Sequence, residues 1–348
     1  MTGNHSRLLA FAAVVLGAAA LASGCGGDDE SSGATTETTP PTSSLKVGLV
    51  ADAGQLNDNG FNELAYEGLK RAEREMGITG RVVEAKTAAD YVPNMSTLAR
   101  QGYDLIIGVG FAQGDAIAAT AKRFPDTNFA IIDVDQSFLK GKPANVQGLL
   151  FREEQVGYLV GYLGALEAEK AGGNAISAVG GYKEPPVDRF IAGYKAGAEA
   201  AVPGTKVTWS YSQDWEDLAK CKELALNQIA AGSKVVFQVA GGCGLGALSA
   251  AKDERVWGIG VDGDQSFLGP HILTSALKGV DSAVFLTIGS VEDGTFTGGK
   301  NVVFGIDQDG VGLGTLSPKA DADAVADVED VEQKLADGEI SDIPTTVS

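Results

Sequence analysis

The sequence predicts an α/β protein made of two doubly wound parallel sheets in series. Three observations carry this reading. From Leu45 onward, short aliphatic runs alternate with segments of helical periodicity, and the alternation goes through two rounds of similar order and length. The 47 glycines show no collagen-like period and so supply tight strand–helix turns. A chain of 348 residues, 44% hydrophobic, is long enough for about two domains.

In the first round, Lys46–Ala51 (KVGLVA) is a strand. Gly60–Met76 is a helix, because Phe61, Leu64, Ala65, Leu69, Ala72 and Met76 recur at helical spacing, with Asp58 or Asn59 available as cap. Arg81–Ala85, Asp104–Ile107 and Asn128–Asp133 read as strands, separated by helices at Val92–Gln101 and Ala112–Phe124. A segment near Val146–Phe151 leads into the second round. Its helices are expected at Gln155–Lys170, Val187–Ala201, Asp217–Ala231 and Leu245–Ala251. Its strands are expected at Ala175–Val179, Lys206–Ser210, Lys234–Val239 and Trp257–Val261. A strand at Ile272–Ala276 and a helix at Ser282–Val291 follow. Val302–Phe304 and Gly310–Gly314 read as short hairpin strands, and Ala320–Leu335 as an acidic helix. No composition change marks a boundary between the rounds, which implies more than one crossing between lobes.

The N-terminus reads as an address and a tether. Arg7 precedes Leu8–Leu21, an apolar run too short for a spanning helix, which needs about 20 residues, but suited to a signal-peptide core. Ala22-Ser23-Gly24 before Cys25 has the small residues of a bacterial lipoprotein cleavage site, although Ala22 stands where Leu is usual. Residues 1–24 are read as a signal peptide and Cys25 as the lipidated mature N-terminus. An ordinary secretion signal cut near Ala22 is the alternative. Residues 26–44 are almost wholly Gly, Asp, Glu, Ser, Thr and Pro, which cannot bury enough apolar area to order and suit a flexible tether. The folded part is thus expected at the cell membrane, lipid-anchored on its extracytoplasmic face.

Composition excludes several chemistries. Acidic residues outnumber basic ones 46 to 27, a net charge of −19, which argues against nucleic-acid binding. Two histidines, one of them His5 in the signal, and three cysteines leave no metal site in prospect. His271, beside Pro270, reads as a surface or hinge residue. Cys243 is placed like a helix-start nucleophile, but no histidine serves it. Gly242-Cys243-Gly244-Leu245-Gly246 lacks the dinucleotide-fingerprint spacing and points instead to close backbone approach by a small ligand. No catalytic residues and no cofactor are assigned, and the chain is not expected to be an enzyme.

Ligands of open α/β sheets bind beyond the carboxyl ends of the strands. Those loops carry Asp52, Asn57 to Asn62, Gly108, Gly110, Phe111 and Gln113, then Asp133 and Asp135. In the second round they carry Gly180-Gly181, Ser212 to Trp215, Gly241 to Gly244, and Asp262 to Gln265, followed by Thr274 to Lys278. Carboxylates, amides, glycines and aromatic rings, without a nucleophile–base pair, suit binding rather than turnover. Cys221 and Cys243 fall at one edge of a βαβ unit and are expected to form a disulfide outside the cytoplasm, two free buried thiols being the alternative.

Eight segments in order, Asp52–Asn62, Gly110–Ala112, Phe124–Asp133, Glu153–Gly161, Val179–Gly181, Ala240–Gly246, Gly260–Gln265 and Thr274–Lys278, resemble the basic membrane protein family. These are substrate-binding lipoproteins of ABC importers, similar to purine nucleoside receptors. The resemblance runs from about residue 45 to 315. It implies a type I periplasmic-binding fold, with residues 45–145 and about 268–298 in one lobe and 146–267 and about 299–348 in the other. It also implies a nucleoside, purine preferred, held between the lobes and passed to permease and ATPase subunits, and the chain is expected to be a monomer.

Residue by residue, Phe61 is the first stacking candidate, and the family's second aromatic falls at Trp215. Asp262 would take both ribose hydroxyls, and Lys278 would bond the sugar or balance Asp262. Asp52, Asn62 and Asp133 would read the base or sugar edge, Gly241, Gly242 and Gly244 would let backbone amides approach the ligand, and Asn57, Gly110 and Phe111 complete the expected ligand contacts. The acids Asp52, Asp58, Asp133, Asp135, Asp262 and Asp264, with only Lys183 and Lys278 near, are expected to exclude phosphorylated ligands. A sugar, a small amine bound by cation–π attraction, and a ligand sensor remain open as alternatives.

Overall fold

A computed structural model describes residues 43–52 and 56–347. The segment read as a signal peptide, Cys25 and nearly all of the expected tether lie outside the described residues.

Among the described residues, twelve strands form two six-stranded sheets. The first holds β1 (Lys46–Ala51), β2 (Thr79–Glu84), β3 (Leu105–Gly108), β4 (Asn128–Ile132), β5 (Val146–Phe151) and β11 (Asn301–Phe304), in the order β11-β5-β4-β3-β1-β2, all parallel. The second holds β6 (Ala175–Gly180), β7 (Lys206–Tyr211), β8 (Val235–Val239), β9 (Trp257–Asp262), β10 (Ile272–Lys278) and β12 (Val311–Leu313), in the order β12-β10-β9-β8-β6-β7. The two orders correspond strand for strand. Only β12, antiparallel to β10, breaks the parallel pattern. Strands β3, β5, β6 and β8 are buried along their whole length, as parallel strands covered on both faces must be.

Helices supply those covers. On the first sheet, α1 (Phe61–Met76) and α8 (Val280–Glu292) lie on one side, and α2 (Tyr91–Arg100) and α3 (Gly114–Arg123) on the other. On the second, α4 (Glu153–Lys170) and α5 (Pro185–Ala201) face α6 (Leu218–Ala230) and α7 (Gly241–Glu254) across the sheet, and α9 (Ala322–Ala336) packs on α4. Helices α4 and α5 meet with almost no space between their backbones. A Cβ on Gly157 or Gly161 would fall far inside contact distance of the Phe190 or Tyr194 carbonyl, and one on Gly193 or Gly197 would strike the Glu154 or Tyr158 carbonyl. Small residues every fourth position on both helices allow this approach. Cys221, in the first turn of α6, is bonded to Cys243, in the first turn of α7, with Cα atoms 5.6 Å apart.

Three findings depart from the sequence reading. The expected lobe boundary before Val146 falls after Phe151, because β5 hydrogen-bonds to β4 in the first sheet. Segment 272–278, expected with the first lobe, is β10 beside β9 in the second sheet. The expected hairpin at 302–314 does not form, because β11 pairs with β5 and β12 with β10, in different sheets. The chain therefore passes between the sheets after β5, after β10 and between β11 and β12.

Candidate functional site

The carboxyl ends of both sheets meet around a cavity of about 240 Å³. This is near the small end of the usual ligand-site range, roughly 300–1,000 Å³, and suits one small molecule. Asp52, Asn57, Phe61, Asn62, Gly110, Phe111, Asp133, Trp215, Gly241, Gly242, Asp262 and Lys278 all line it. The structure thus brings together, from both sheets, the residues that the sequence singled out for ligand contact except Gly244, which lies against the Gln238 side chain instead.

At the first sheet, Asp58 organises the start of α1. Its carboxylate accepts the Gly60, Asn62 and Glu63 amides at 3.0, 3.0 and 3.3 Å, leaving Gly60 as the N-cap, while Asn59 adopts a left-handed φ of 55°. This presents the Phe61 ring to the cavity. Burial raises the pKa of the Asp58 carboxyl, against those three amides and the Asn62 side chain. Buried Asn62 is engaged within the protein: its Oδ1 accepts the Asp52 amide at 3.0 Å, and its Nδ2 donates to Asp58 at 3.3 Å. Tyr91 Oη donates to Asp52 Oδ1. Gly110, with φ of 103°, has no room for a side chain beside the Asp52 carboxylate.

At the second sheet, the glycines serve Trp215. Its ring lies directly on Gly181, 5.5 Å from the Tyr182 ring, and its carbonyl accepts the Cys243 amide at 2.8 Å above Gly241 and Gly242. The run Gly241 to Gly244, expected as a loop, is the first turn of α7.

A charged cluster closes the inner end. Lys278 Nζ donates to Asp133 Oδ1 and Oδ2 at 2.7 and 2.8 Å and lies 3.0 Å from Glu153 Oε1. Its amine also sits 5.1, 4.9 and 5.9 Å from the ring centres of Phe61, Phe151 and Phe190. Lys278 gives its hydrogen bonds to Asp133 and Glu153, and its charge also offsets that of Asp262, one of the two roles expected for it. Surrounding carboxylates raise the ammonium pKa in spite of burial, so it stays charged. Glu153 Oε2 makes no hydrogen bond within the described residues and faces Arg189 Nη1 at 3.6 Å. Burial pushes Glu153 to about 7, with Lys278 opposing and Asp133 adding. Burial likewise pushes Asp262 to about 7, with Lys278 opposing and Asp58, Asp133 and Glu153 adding. The Asp262 carboxylate forms no hydrogen bond among the described residues, and both Asp133 and Asp262 are left-handed, with φ of 72° and 63°.

Asp135, Asp264 and Lys183, expected in the cleft, are occupied elsewhere. Asp135 caps a short turn through the Ser137 amide, Asp264 bonds the Ser266 amide and Thr315, and Lys183 pairs with Asp188 at 2.6 Å. The sequence reading missed Glu184, Phe190 and Glu216, which line the cavity, and Glu153 beneath it. Glu184 stands in the loop after β6, where only the preceding glycines attracted notice. Burial and the carboxylates of Asp52 and Asp133 push it to about 7.

Among the described residues, no group of three or more His, Cys, Asp or Glu side chains is arranged to hold a metal ion. Nor is any helix there long and apolar enough to cross a membrane.

Residues 45–345 match the family model of PnrA-like ABC transporter substrate-binding proteins. Over 94% of this chain and 98% of its own length, the ABC transporter nucleoside-binding protein BmpA of Lactococcus lactis is 34% identical. An uncharacterized lipoprotein of Pyrococcus horikoshii is 34% identical over 78% of this chain and 69% of its own. A solute-binding protein of an Aeropyrum pernix ABC transporter superposes with a TM-score of 0.76 at 27% identity, covering 85% of this chain and 92% of that one. One from Conexibacter woesei gives 0.69 at 26%, covering 87% and 100%. The two parallel-dominated sheets are those of the type I periplasmic-binding fold. The chain belongs to the PnrA-like family of ABC transporter substrate-binding proteins and is not an enzyme.

Proposed function

We propose that this protein binds a nucleoside, purine preferred, in the cavity between its sheets and delivers it to the permease of an ABC importer. Cys25 carries a lipid anchor that holds the protein at the extracytoplasmic face of the membrane. The observation that carries the reading is the Asp262 carboxylate, without a hydrogen bond among the described residues, in a cavity that also presents the Phe61 and Trp215 rings. A carboxylate accepts both hydroxyls of a cis-diol in a charge-assisted pair. A flat base stacks on aromatic rings at ~1–3 kcal/mol per base, and a bicyclic purine offers the larger face. Asp52, Asn57 and Phe111 face the remaining edge, while Asn62 and Asp133 hold the site's framework through the bonds described above. The nucleoside-binding relative and the lipoprotein relative support cargo and anchor respectively.

The test is calorimetric titration of the chain from Gly26 onward with nucleosides, free bases, sugars and amines. Saturable binding of nucleosides, with purine nucleosides tightest, is expected. Preference for a sugar or an amine would replace the proposed cargo.

A further inference from the structure

The loops after β4 and β9 carry the same segment. Asp133-Val134-Asp135-Gln136-Ser137-Phe138-Leu139 leads from β4 toward β5, and Asp262-Gly263-Asp264-Gln265-Ser266-Phe267-Leu268 leads from β9 toward β10. The two segments differ only at Val134 and Gly263. Strands β4 and β9 hold equivalent places in their sheets. Another equivalent pair of loops shares no such likeness: Val109-Gly110-Phe111 follows β3, whereas Ala240-Gly241-Gly242 follows β8.

Conformation repeats with sequence. Asp133 and Asp262 are both left-handed. Asp135 accepts the Ser137 amide at 2.7 Å, and Asp264 accepts the Ser266 amide at 3.0 Å. Gln136 and Gln265 are buried, with their backbone amides bonded to Asn301 and Ser275. Leu139 is buried and Leu268 half-buried. These repeated residues have work inside the fold, and the phenylalanines do not. Phe138 is 85% exposed and Phe267 64%, the highest values for large hydrophobic residues among those described. Neither ring stacks on another ring or on a cation there. One exposed ring is ordinary; the same ring kept at the same place in both halves asks for a partner with two like sockets.

We propose that Phe138 and Phe267 are matched anchors for the importer's permease, each entering one of two like apolar sockets on its extracytoplasmic side. Both loops begin on cavity-lining carboxylates, and five residues of chain reach at most ~17 Å, so the rings stand close to where cargo must leave. Each loop is fixed to its own sheet, so the spacing of the rings follows the relative placement of the halves, which Gln265 Nε2 bridges to Asn59 O at 3.2 Å. A net charge of −19 disfavours the other two occupants, an anionic bilayer and a second copy of the chain. The proposal rests on membership of the importer family and not on the nucleoside reading.

The test replaces Phe138 or Phe267, one at a time, with a photo-crosslinking phenylalanine analogue in the full chain in its own cell. Adducts with a permease polypeptide, identified by mass, are expected from both positions and not from exposed Leu286 on α8. The F138S/F267S double variant is expected to keep its melting temperature, because both side chains are exposed. It should co-purify with that permease about tenfold less than the wild type. Adducts only with lipid, only with a second copy, or with nothing would overturn the proposal, as would undiminished co-purification of the double variant.

Discussion

Lys278 Nζ lies 2.7 and 2.8 Å from the two carboxylate oxygens of Asp133, joining the carboxyl end of β10 in one sheet to that of β4 in the other. The lysine is 2% exposed, and Glu153, 3.0 Å away, is 1% exposed. One ammonium here faces three carboxylates, counting Asp262.

Removing the cation leaves those carboxylates buried without compensation. Lys278→Met is expected to destabilise the protein by ~3–5 kcal/mol, the usual result of deleting one partner of a buried ion pair. Urea unfolding at neutral pH measures this. A loss below about 1 kcal/mol would mean that the cluster is hydrated rather than buried.

The excess of carboxylates gives stability a pH dependence of definite sign. Glu153 and Asp262 are both raised to about 7 in the folded state, so between their ordinary values and about 7 the folded protein holds more protons than the unfolded chain. Stability from these groups therefore rises as pH falls from 8 toward 5 and is lost as pH climbs through about 7. Thermal melts of the ligand-free protein should show this rise, and Glu153→Gln should flatten it. A melting temperature that falls steadily from pH 8 to pH 6 would contradict the account.

Asp52, Asp58, Asp133, Glu184, Glu216 and Asp262 line the cavity, and Lys278, already paired, is the one basic residue that does so among those described. A 5′-phosphate brought there meets repulsion with no free cation. Nucleoside monophosphates are expected to bind at least about a hundredfold more weakly than nucleosides, with the gap narrowing as salt rises. Competition against a bound nucleoside measures the ratio, and equal affinities would contradict it.

Strand positions and the polar residues at strand ends were legible because the central parallel strands are aliphatic runs and the loops after them are not. Sheet membership was less so. Val302 and Val303 read as one arm of a hairpin, since nothing local says that β11 returns to β5 across some 150 residues of sequence. Lys278 was visible as a site residue, but its partner Glu153 follows a strand and opens a helix, where an acid reads as an ordinary helix-start residue. The repeat around Phe138 and Phe267 is written in the sequence; its meaning depends on knowing that Asp135 and Asp264 cap their own turns and that Gln136 and Gln265 are buried, while the two rings are exposed.

Glycine at α4 and α5 illustrates a second kind of hidden constraint. Gly197 sits against the Tyr158 carbonyl with no room for a methyl group. Gly197→Ala improves intrinsic helix propensity yet is expected to cost ~1–3 kcal/mol through overpacking. Chemical denaturation would show it, and a stabilised variant would mean that the helices separate readily.

The cavity as a nucleoside seat is tested most directly by measuring the nucleoside dissociation constant of the wild type, Phe61→Ala and Asp262→Asn under one set of conditions. Loss of one stacking face is expected to weaken binding by about 5- to 150-fold, and loss of the diol acceptor by a comparable factor, with both variants still folded. Wild-type affinity in both variants would place the ligand elsewhere and contradict the account.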